Sequence, residues 1–434
     1  MASSSSTIFS LEGKSLRLNT AADAASHLEP LRSSDAFTEI RLQGNTLGVE
    51  ASQEIASLLK SQKSLQVANL GDIFTSRLVD EIPSALSALL TSLLELPELH
   101  TVDLSDNAFG LMTVEPLVAF LRAHIPLKHL ILNNNGLGPR AGSMIGEALS
   151  ELADRKEEAR RQGKDIPALE TIVCGRNRLE NGSMDAWAKA FQKHKGVKIV
   201  RMVQNGIRQQ GITTLLREGL KGCVELEVLD MEDNTFTITG SQALAEAVVG
   251  WKSIRNLCLG DCYLSARGGV VVAEALGKGH NTGLQTLKAP YNNWTTKSVQ
   301  ALLAATTKGG LVNLRRLELN GNKFAEEDES VESLRILLDK RKEEHEEKGG
   351  DTKENEWGLD ELDELDDDDE DSAAEDEEEE AAEEDEDEDG KKETTEAEGE
   401  AILKEADAEE NENVSQKKDE DVDALADKLG KTEL

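Results

Sequence analysis

Two short motifs in this chain resemble sites for phosphate and metal, and neither has the spacing that the chemistry requires. The triplet GKS at 13–15 matches the end of a phosphate-binding loop, but that loop needs a glycine five residues before Gly13, where this chain has Ile8. Cys258 and Cys262 are four residues apart, but the repeat described below places one on a strand face and the other toward the interior, so their thiols diverge. We therefore expect no catalytic centre, no cofactor and no metal site of the chain's own.

A third pattern concerns polar residues that each stand immediately before a recurring asparagine or cysteine. The recurring residues occupy positions 107, 135, 177, 205, 234, 262, 292 and 322, in steps of about 28 to 30 residues apart from one of 42. The polar residues before the first six of them are Asp106, Asn134, Arg176, Gln204, Asp233 and Asp261. A solvated turn would also be polar, but a continuous polar strip along a rigid edge is typical of a protein-binding surface. This register therefore predicts a partner-binding edge, which charged residues at 103, 201, 230 and 318 on the neighbouring strand face would extend.

The elements that position this strip come from a repeat of the form LxxLxLxxNxL, as in Leu127, Leu130, Leu132, Asn135 and Leu137. Nine copies and a degenerate one at 65–73 each leave room for a strand, a turn and an amphipathic helix. The pattern predicts an α/β leucine-rich-repeat solenoid of about eleven repeats, a ribonuclease-inhibitor-like horseshoe with parallel strands on the concave face and helices outside. Alternation along each strand sends the leucines into the core, and the recurring asparagine turns inward to satisfy backbone groups.

The ends of the array and one insertion can also be placed. The segment KSLRL at 14–18 is expected to begin the repeats, and the charged insertion at 153–167 predicts a lengthened, exposed helix after Asn135. Beyond the last repeat, residues 331, 334, 337 and 338 form one apolar helical face, which predicts a C-terminal helical cap. We expect a leucine-rich-repeat domain at 1–348 and a disordered acidic tail at 349–434, because like charge and few apolar residues prevent folding there.

The charge is concentrated in that tail. Residues 351–434 contain 41 acidic residues and 8 lysines, so they carry −33 of the net charge of −37 and leave −4 for residues 1–350. Because the repeats lack a basic field, nucleic acid is not an expected partner. The first residues lack a signal-peptide pattern, and no run of 18 apolar residues occurs, so we expect no membrane association and a cytoplasmic protein. The tail either solubilises the chain or attracts a basic partner surface.

Several segments outside the repeat consensus carry a family resemblance, which covers roughly residues 8–345. They read GDIFTSRLVDEIPSAL (71–86), SDNAFG (105–110), LNNNGLGPRAG (132–142), CGRNRLENGSM (174–184) and MVQNGIR (202–208). Together they resemble the GTPase-activating proteins for Ran, the small GTPase of nuclear transport, a family that the acidic tail also suits. The resemblance implies that the chain binds Ran in its GTP-bound form and accelerates GTP hydrolysis without supplying an arginine to the phosphates. It implies action as a monomer, alone or with a Ran-binding protein, in the cytoplasm and enriched at the nuclear envelope, with GTP and Mg²⁺ carried by the GTPase.

The resemblance also assigns roles to particular residues. Asn134 matches the family residue that contacts and positions the catalytic glutamine of the GTPase, and Asn135 beside it stays structural. Arg77 matches a family arginine that anchors Ran, whereas from the repeat alone it would be a surface arginine. Asp106, Arg176 and Asp233 are carried over as partner-binding residues, and Gln204 and Asp261 are expected to bind the partner from the polar register alone. The chain departs from the family at Val79, where a basic residue is usual, and at Asn133, where an aromatic residue or histidine is frequent.

Two other functions remain open from the repeats alone. A leucine-rich-repeat protein can be a non-catalytic scaffold or inhibitor with an acidic tail, since fold does not determine function. A hydrolase is opposed only by the missing pairing of a nucleophile with a base.

Overall fold

The computed structural model describes residues 7–366. The disordered tail expected at 349–434 therefore lies mostly outside the described residues. Within the described part, parallel strands alternate with helices along the chain, as the repeat predicts.

The elements are short and regular. The strands are β1 (Ile8–Ser10), β2 (Arg17–Leu18), β3 (Glu39–Arg41), β4 (Thr46–Leu47), β5 (Val67–Asn69), β6 (Thr101–Asp103), β7 (His129–Ile131), β8 (Thr171–Val173), β9 (Ile199–Arg201), β10 (Val228–Asp230), β11 (Asn256–Cys258), β12 (Thr286–Lys288), β13 (Arg316–Glu318) and β14 (Gly358–Leu359). The helices are α1 (Ala21–Ala25), α2 (Glu29–Ser33), α3 (Val49–Leu59), α4 (Ile82–Leu93), α5 (Glu115–Ala123), α6 (Gly138–Arg161), α7 (Met184–Lys193), α8 (Gln209–Thr214), α9 (Thr237–Val248), α10 (Ala266–Leu276), α11 (Thr296–Thr307) and α12 (Glu329–Glu347). Among residues 7–366, no helix is both long and apolar enough to cross a membrane.

Twelve of the strands form one sheet in which every neighbouring pair is parallel and in chain order. In most of them the middle residue is buried and the two flanking residues are half-buried, as in β7, where Leu130 is fully buried. The middle residues therefore pack against the helices, and the flanking residues lie on the opposite side, here called the open face. This architecture confirms the predicted leucine-rich-repeat solenoid.

The array begins earlier than expected. Its first strand is β1, and the strand within KSLRL, β2, pairs instead with β4 in a separate two-stranded sheet. Phe9 and Leu11 supply the two buried apolar residues of the first repeat, and the Leu11 amide donates to the Arg41 carbonyl at 2.8 Å. The prediction that KSLRL begins the array is wrong because FSL, upstream of it, already provides a strand with the required alternation.

The insertion lengthens α6 to 24 residues, which confirms the predicted long helix, but its end is not simply exposed. Lys156 is 1% exposed, and its Nζ donates to the carbonyls of Ile125 (2.6 Å), Leu127 (2.7 Å) and Pro167 (2.9 Å). Burial lowers the pKa of Lys156 to about 7. One lysine thus ties the inserted helix to the turn that precedes β7 and to the segment that precedes β8.

The C-terminal end of the array is closed by α12 and by a strand that follows it. Val331, Leu334 and Leu338 are buried, which confirms the expected cap helix. Beyond position 348, β14 pairs with β13, and Trp357 and Leu362 are buried. The ordered chain therefore extends past the expected boundary, because three apolar side chains among the acidic residues of 357–362 suffice to cover the sheet edge.

An aspartate completes this edge. In inner repeats, the amide after each strand donates to a carbonyl of the next strand, as Leu104 does to Ile131 at 2.9 Å. In the last repeat, the amides of Leu319 and Asn320 donate instead to the two carboxylate oxygens of Asp360, at 2.9 and 3.1 Å. The Asp360 side chain thereby supplies the acceptors that the backbone of a further full repeat would provide.

Candidate functional site

A row of buried asparagines, with one cysteine among them, lies in the turns that follow the strands. We call it the ladder row: Asn45, Asn107, Asn135, Asn177, Asn205, Asn234, Cys262, Asn292 and Asn322, all buried. Asn135 is typical, because its Nδ2 donates to the carbonyls of Leu104 and Leu132, both at 3.0 Å, and its Oδ1 accepts from the Asn107 amide at 3.0 Å. Consecutive repeats are thus bonded to one another at the same point of the turn.

The residue before each ladder position is placed in the opposite way, because its side chain points away from the core. We call the loops after the carboxyl ends of the strands the carboxyl rim, and this set of residues the rim row. All six polar residues predicted in it are exposed: Asp106, Asn134, Arg176, Gln204, Asp233 and Asp261. The same register includes Asp72 and Tyr291, which the sequence pattern did not reveal because the repeats around them depart from the consensus.

The rim row has a strained backbone. Its eight non-glycine members have φ between 45° and 61°, in the left-handed region, whereas the corresponding positions at the two ends of the array are Gly44 and Gly321. Left-handed backbone costs an L-residue roughly 1–2 kcal/mol relative to right-handed backbone, and glycine largely avoids this cost. The middle repeats therefore keep side chains where glycine would fit better.

Asn134 lies in the middle of the rim row, and its amide is held in one orientation. Its Nδ2 donates to Asp106 Oδ1 at 2.8 Å, and its backbone amide donates to the Gly175 carbonyl at 2.9 Å. An ionised carboxylate can only accept hydrogen bonds, so the end of the Asn134 amide that faces Asp106 is the NH₂ group. The side-chain oxygen, Oδ1, is consequently left to accept a hydrogen bond from outside the protein.

Farther along the rim, three predicted partner-binding residues surround one cleft of about 470 Å³. Gln204, Asp233 and Asp261 line it together with Arg178 and Tyr263, among others. Burial, and next the charge of Asp233, raise the pKa of Asp261. This part of the rim therefore presents a negative recess with an aromatic wall.

Arg77 is placed differently from the other predicted site residues. Its side chain is only 12% exposed, and its Nη2 donates to the Thr46 carbonyl at 3.1 Å and the Leu18 carbonyl at 3.5 Å. Its Nη1 lies 3.8 Å from Glu81 Oε2. Arg77 thus braces the loop between β5 and α4 against the first two repeats and is not a loose surface arginine.

The cysteines and the open face carry no evident reaction chemistry. Asp230, Glu232 and Cys258 place one ligand atom each within 4.8 Å of the others. Burial above all, together with those two acids, raises the pKa of the Cys258 thiol to about 12, and a protonated thiol is a poor nucleophile. Cys262 is buried in the ladder row, where its Sγ lies 3.3 Å from the Met231 carbonyl, so the two thiols diverge as predicted.

One known protein resembles this chain along most of its length, and others resemble it along nearly half. Ran GTPase-activating protein 1 of Saccharomyces cerevisiae is 42% identical over 339 residues, which cover 76% of this chain and 82% of that protein. Ran GTPase-activating protein 1 of Xenopus laevis is 41% identical over 204 residues, covering 46% of this chain and 34% of that protein. Ran GTPase-activating protein 2 of Caenorhabditis elegans is 42% identical over 202 residues, covering 46% and 20% respectively.

Among solved structures, the leucine-rich repeat-containing protein LegL7 from Legionella pneumophila is 15% identical to this chain. The match covers 77% of this chain and 98% of the LegL7 chain. The TM-score between the two structures is 0.41. No protein-family model matches the chain. Because the identity to the yeast protein extends over most of both chains, the chain belongs to the family of Ran GTPase-activating proteins.

Proposed function

We propose that this chain stimulates GTP hydrolysis by Ran in its GTP-bound form, and that Asn134 is the residue that accelerates the reaction. Small GTPases orient the attacking water with a glutamine. In this proposal, Asn134 Oδ1 accepts a hydrogen bond from the side-chain NH₂ of that glutamine and holds it against the water. The observation that carries the proposal is the exposed Asn134 amide, with its NH₂ end committed to Asp106.

The rate increase would come from preorganisation. The ladder row fixes the backbone on both sides of Asn134, and Asp106 fixes the side chain, so the amide reaches the partner with its geometry already set. Holding a reacting group in the productive geometry beforehand removes much of the entropic barrier. No arginine of this chain would act on the phosphates, and GTP and Mg²⁺ would be carried by the GTPase.

The rest of the rim row would bind the partner. Arg176 is exposed in the repeat after Asn134, and the cleft formed by Gln204, Asp233 and Asp261 suits a cationic side chain of the GTPase. Arg77 would contribute by keeping the loop at 71–81 in place, because its guanidinium is mostly buried. We take the acting species to be a cytoplasmic monomer that meets Ran·GTP alone or with a Ran-binding protein.

The first test is hydrolysis of Ran·GTP with catalytic amounts of the protein, compared with an unrelated small GTPase. Repeated turnover on Ran alone is expected. A stoichiometric effect, or none, would favour the scaffold or inhibitor instead.

The second test replaces Asn134 with alanine. Loss of a positioned transition-state contact typically lowers kcat about 100-fold or more, so we expect a loss of that size with the binding of Ran·GTP retained. Asn293→Ala is the matched control, because Asn293 also neighbours a ladder asparagine and has left-handed backbone, with φ of 56°. Single-turnover stimulation by Asn134→Ala at the wild-type rate would reject the proposed role.

A further inference from the structure

Four apolar side chains are exposed on two loops of the carboxyl rim. Leu78 and Val79, between β5 and α4, are 69% and 54% exposed, and Leu111 and Met112, between β6 and α5, are 39% and 79% exposed. We call these four residues the apolar shoulder. Single exposed apolar residues are ordinary, but a cluster of them on adjacent loops often marks an interaction site.

The two loops belong to successive repeats and are tied together at their bases. Phe74 and Phe109, where the loops begin, have ring centroids 6.4 Å apart. The Ile73 amide donates to Asn107 Oδ1 at 2.9 Å, which joins the first loop to the ladder row of the second. A surface that is ordered before binding loses little conformational entropy when a partner arrives.

Each loop has an additional restraint. Arg77, next to Leu78, is bonded to the carbonyls of Thr46 and Leu18, so the first loop is held from its buried side. In the second loop, the Gly110 amide donates to the Asn135 carbonyl at 3.0 Å. The burial of Arg77 is explained by this role, because its guanidinium supports a loop whose apolar residues face solvent.

The apolar shoulder is continuous with the proposed reaction site. Gly110 bonds to the residue that follows Asn134, and Leu111 and Met112 come directly after Gly110. Asp106, which orients Asn134, begins the same turn from which the second loop leaves. A GTPase that brings its glutamine to Asn134 would therefore also cover these two loops.

We propose that the apolar shoulder binds an apolar surface segment of the GTPase beside its nucleotide site. This inference rests on the proposed function and assigns binding affinity and rate acceleration to different residues. The shoulder supplies affinity that is equal in the ground state and the transition state, so it lowers KM, whereas Asn134 raises kcat.

The test is the double variant Leu78→Ser, Met112→Ser, assayed for stimulation of Ran·GTP hydrolysis over a range of Ran·GTP concentrations. We expect KM to rise about tenfold or more, as for loss of a central apolar contact, with kcat within twofold of wild type. The rise in KM should persist at high salt, because an apolar contact is not screened. The matched control is Val224→Ser, Ile336→Ser, since these residues are 56% and 59% exposed and lie away from the carboxyl rim.

The outcomes separate this inference from the proposal on which it rests. An unchanged KM, or a fall in kcat alone, would overturn the role of the shoulder even if Asn134→Ala behaves as expected. If Asn134→Ala keeps full stimulation while the shoulder variant raises KM, the role of Asn134 fails and the shoulder stands. All the replaced side chains are exposed, so thermal unfolding should be unchanged in both double variants.

Discussion

The ladder row and the rim row are one position apart in the sequence, but they differ in burial, in hydrogen bonding and in backbone conformation. Asn135 is fully buried and bonded to three repeats, whereas Asn134 is exposed and its side chain bonds to one neighbouring carboxylate. The same residue type thus stabilises the fold at one position and is exposed to solvent at the next. What separates them is the left-handed backbone of the rim residue, which turns its side chain away from the core.

The comparison shows where this protein accepts strain. At the ends of the array, the rim row is glycine and the turn is relaxed, but in the eight repeats between them it has side chains. Strain that persists at a surface indicates that the side chains there do something that the fold does not need. The ladder row then provides the rigidity that keeps those side chains in place.

The largest expected effect comes from breaking the ladder row beside Asn134. Asn135→Ala removes three donated hydrogen bonds and one accepted bond from the turn. The backbone N–H of Asn107 is then buried without a partner. The carbonyls of Leu104 and Leu132 keep a second hydrogen bond, from the neighbouring ladder asparagines. Each lost hydrogen bond costs about 0.5–1.5 kcal/mol and the unpaired N–H about 1–3 kcal/mol, so the free energy of unfolding should fall by about 3 kcal/mol or more. Urea unfolding followed by circular dichroism measures this loss.

Asn134→Ala is the control for that variant, and its free energy of unfolding should fall by only about 1 kcal/mol, since the one hydrogen bond it loses is exposed. If the two alanine variants were equally unstable, the division between a structural row and a functional row would be wrong.

Much of this arrangement could be predicted from the sequence, because a strict period carries information about burial. Alternation along each strand assigned the leucines and the ladder residues to the interior, and the position just before the ladder residue was correctly expected at the surface. The family resemblance singled out Asn134 within that register, but the pattern alone could not, since all six rim residues are polar.

Other features could not be predicted, because they depend on contacts between distant segments. Arg77 bonds to carbonyls 31 and 59 residues away, which no local pattern reveals. The acidic composition around Trp357 gave no sign of the strand β14. Its pairing with β13 depends on the position of the sheet edge, which the sequence pattern does not give. The orientation of the Asn134 amide likewise required the position of Asp106 in the preceding repeat.

A smaller effect is expected from loosening the rim row without removing Asn134. In Asp106→Asn, the new amide can offer either its oxygen or its NH₂ group, so the Asn134 amide is no longer fixed with its oxygen outward. We expect kcat for stimulated hydrolysis to fall about tenfold, between the wild type and Asn134→Ala, because orientation is lost and the contact is kept. Measuring kcat at saturating Ran·GTP tests this.

A double-mutant cycle decides whether Asp106 acts through Asn134. Adding Asp106→Asn to Asn134→Ala should change kcat no further, since there is no amide left to orient. A further tenfold loss in the double variant would mean that Asp106 contacts the GTPase on its own account.

The smallest expected effect tests the strain itself. Gln204 has φ of 53°, a conformation that glycine adopts without penalty, so Gln204→Gly should raise the free energy of unfolding by about 1 kcal/mol. Gln204→Ala keeps the strained backbone and should bring no such gain, which makes it the matched control. Both variants remove the side chain from the cleft shared with Asp233 and Asp261, so both should weaken Ran·GTP binding to the same degree. Equal stability of the two variants would show that the rim row is unstrained, and the presence of side chains in the middle repeats would then need no functional reason.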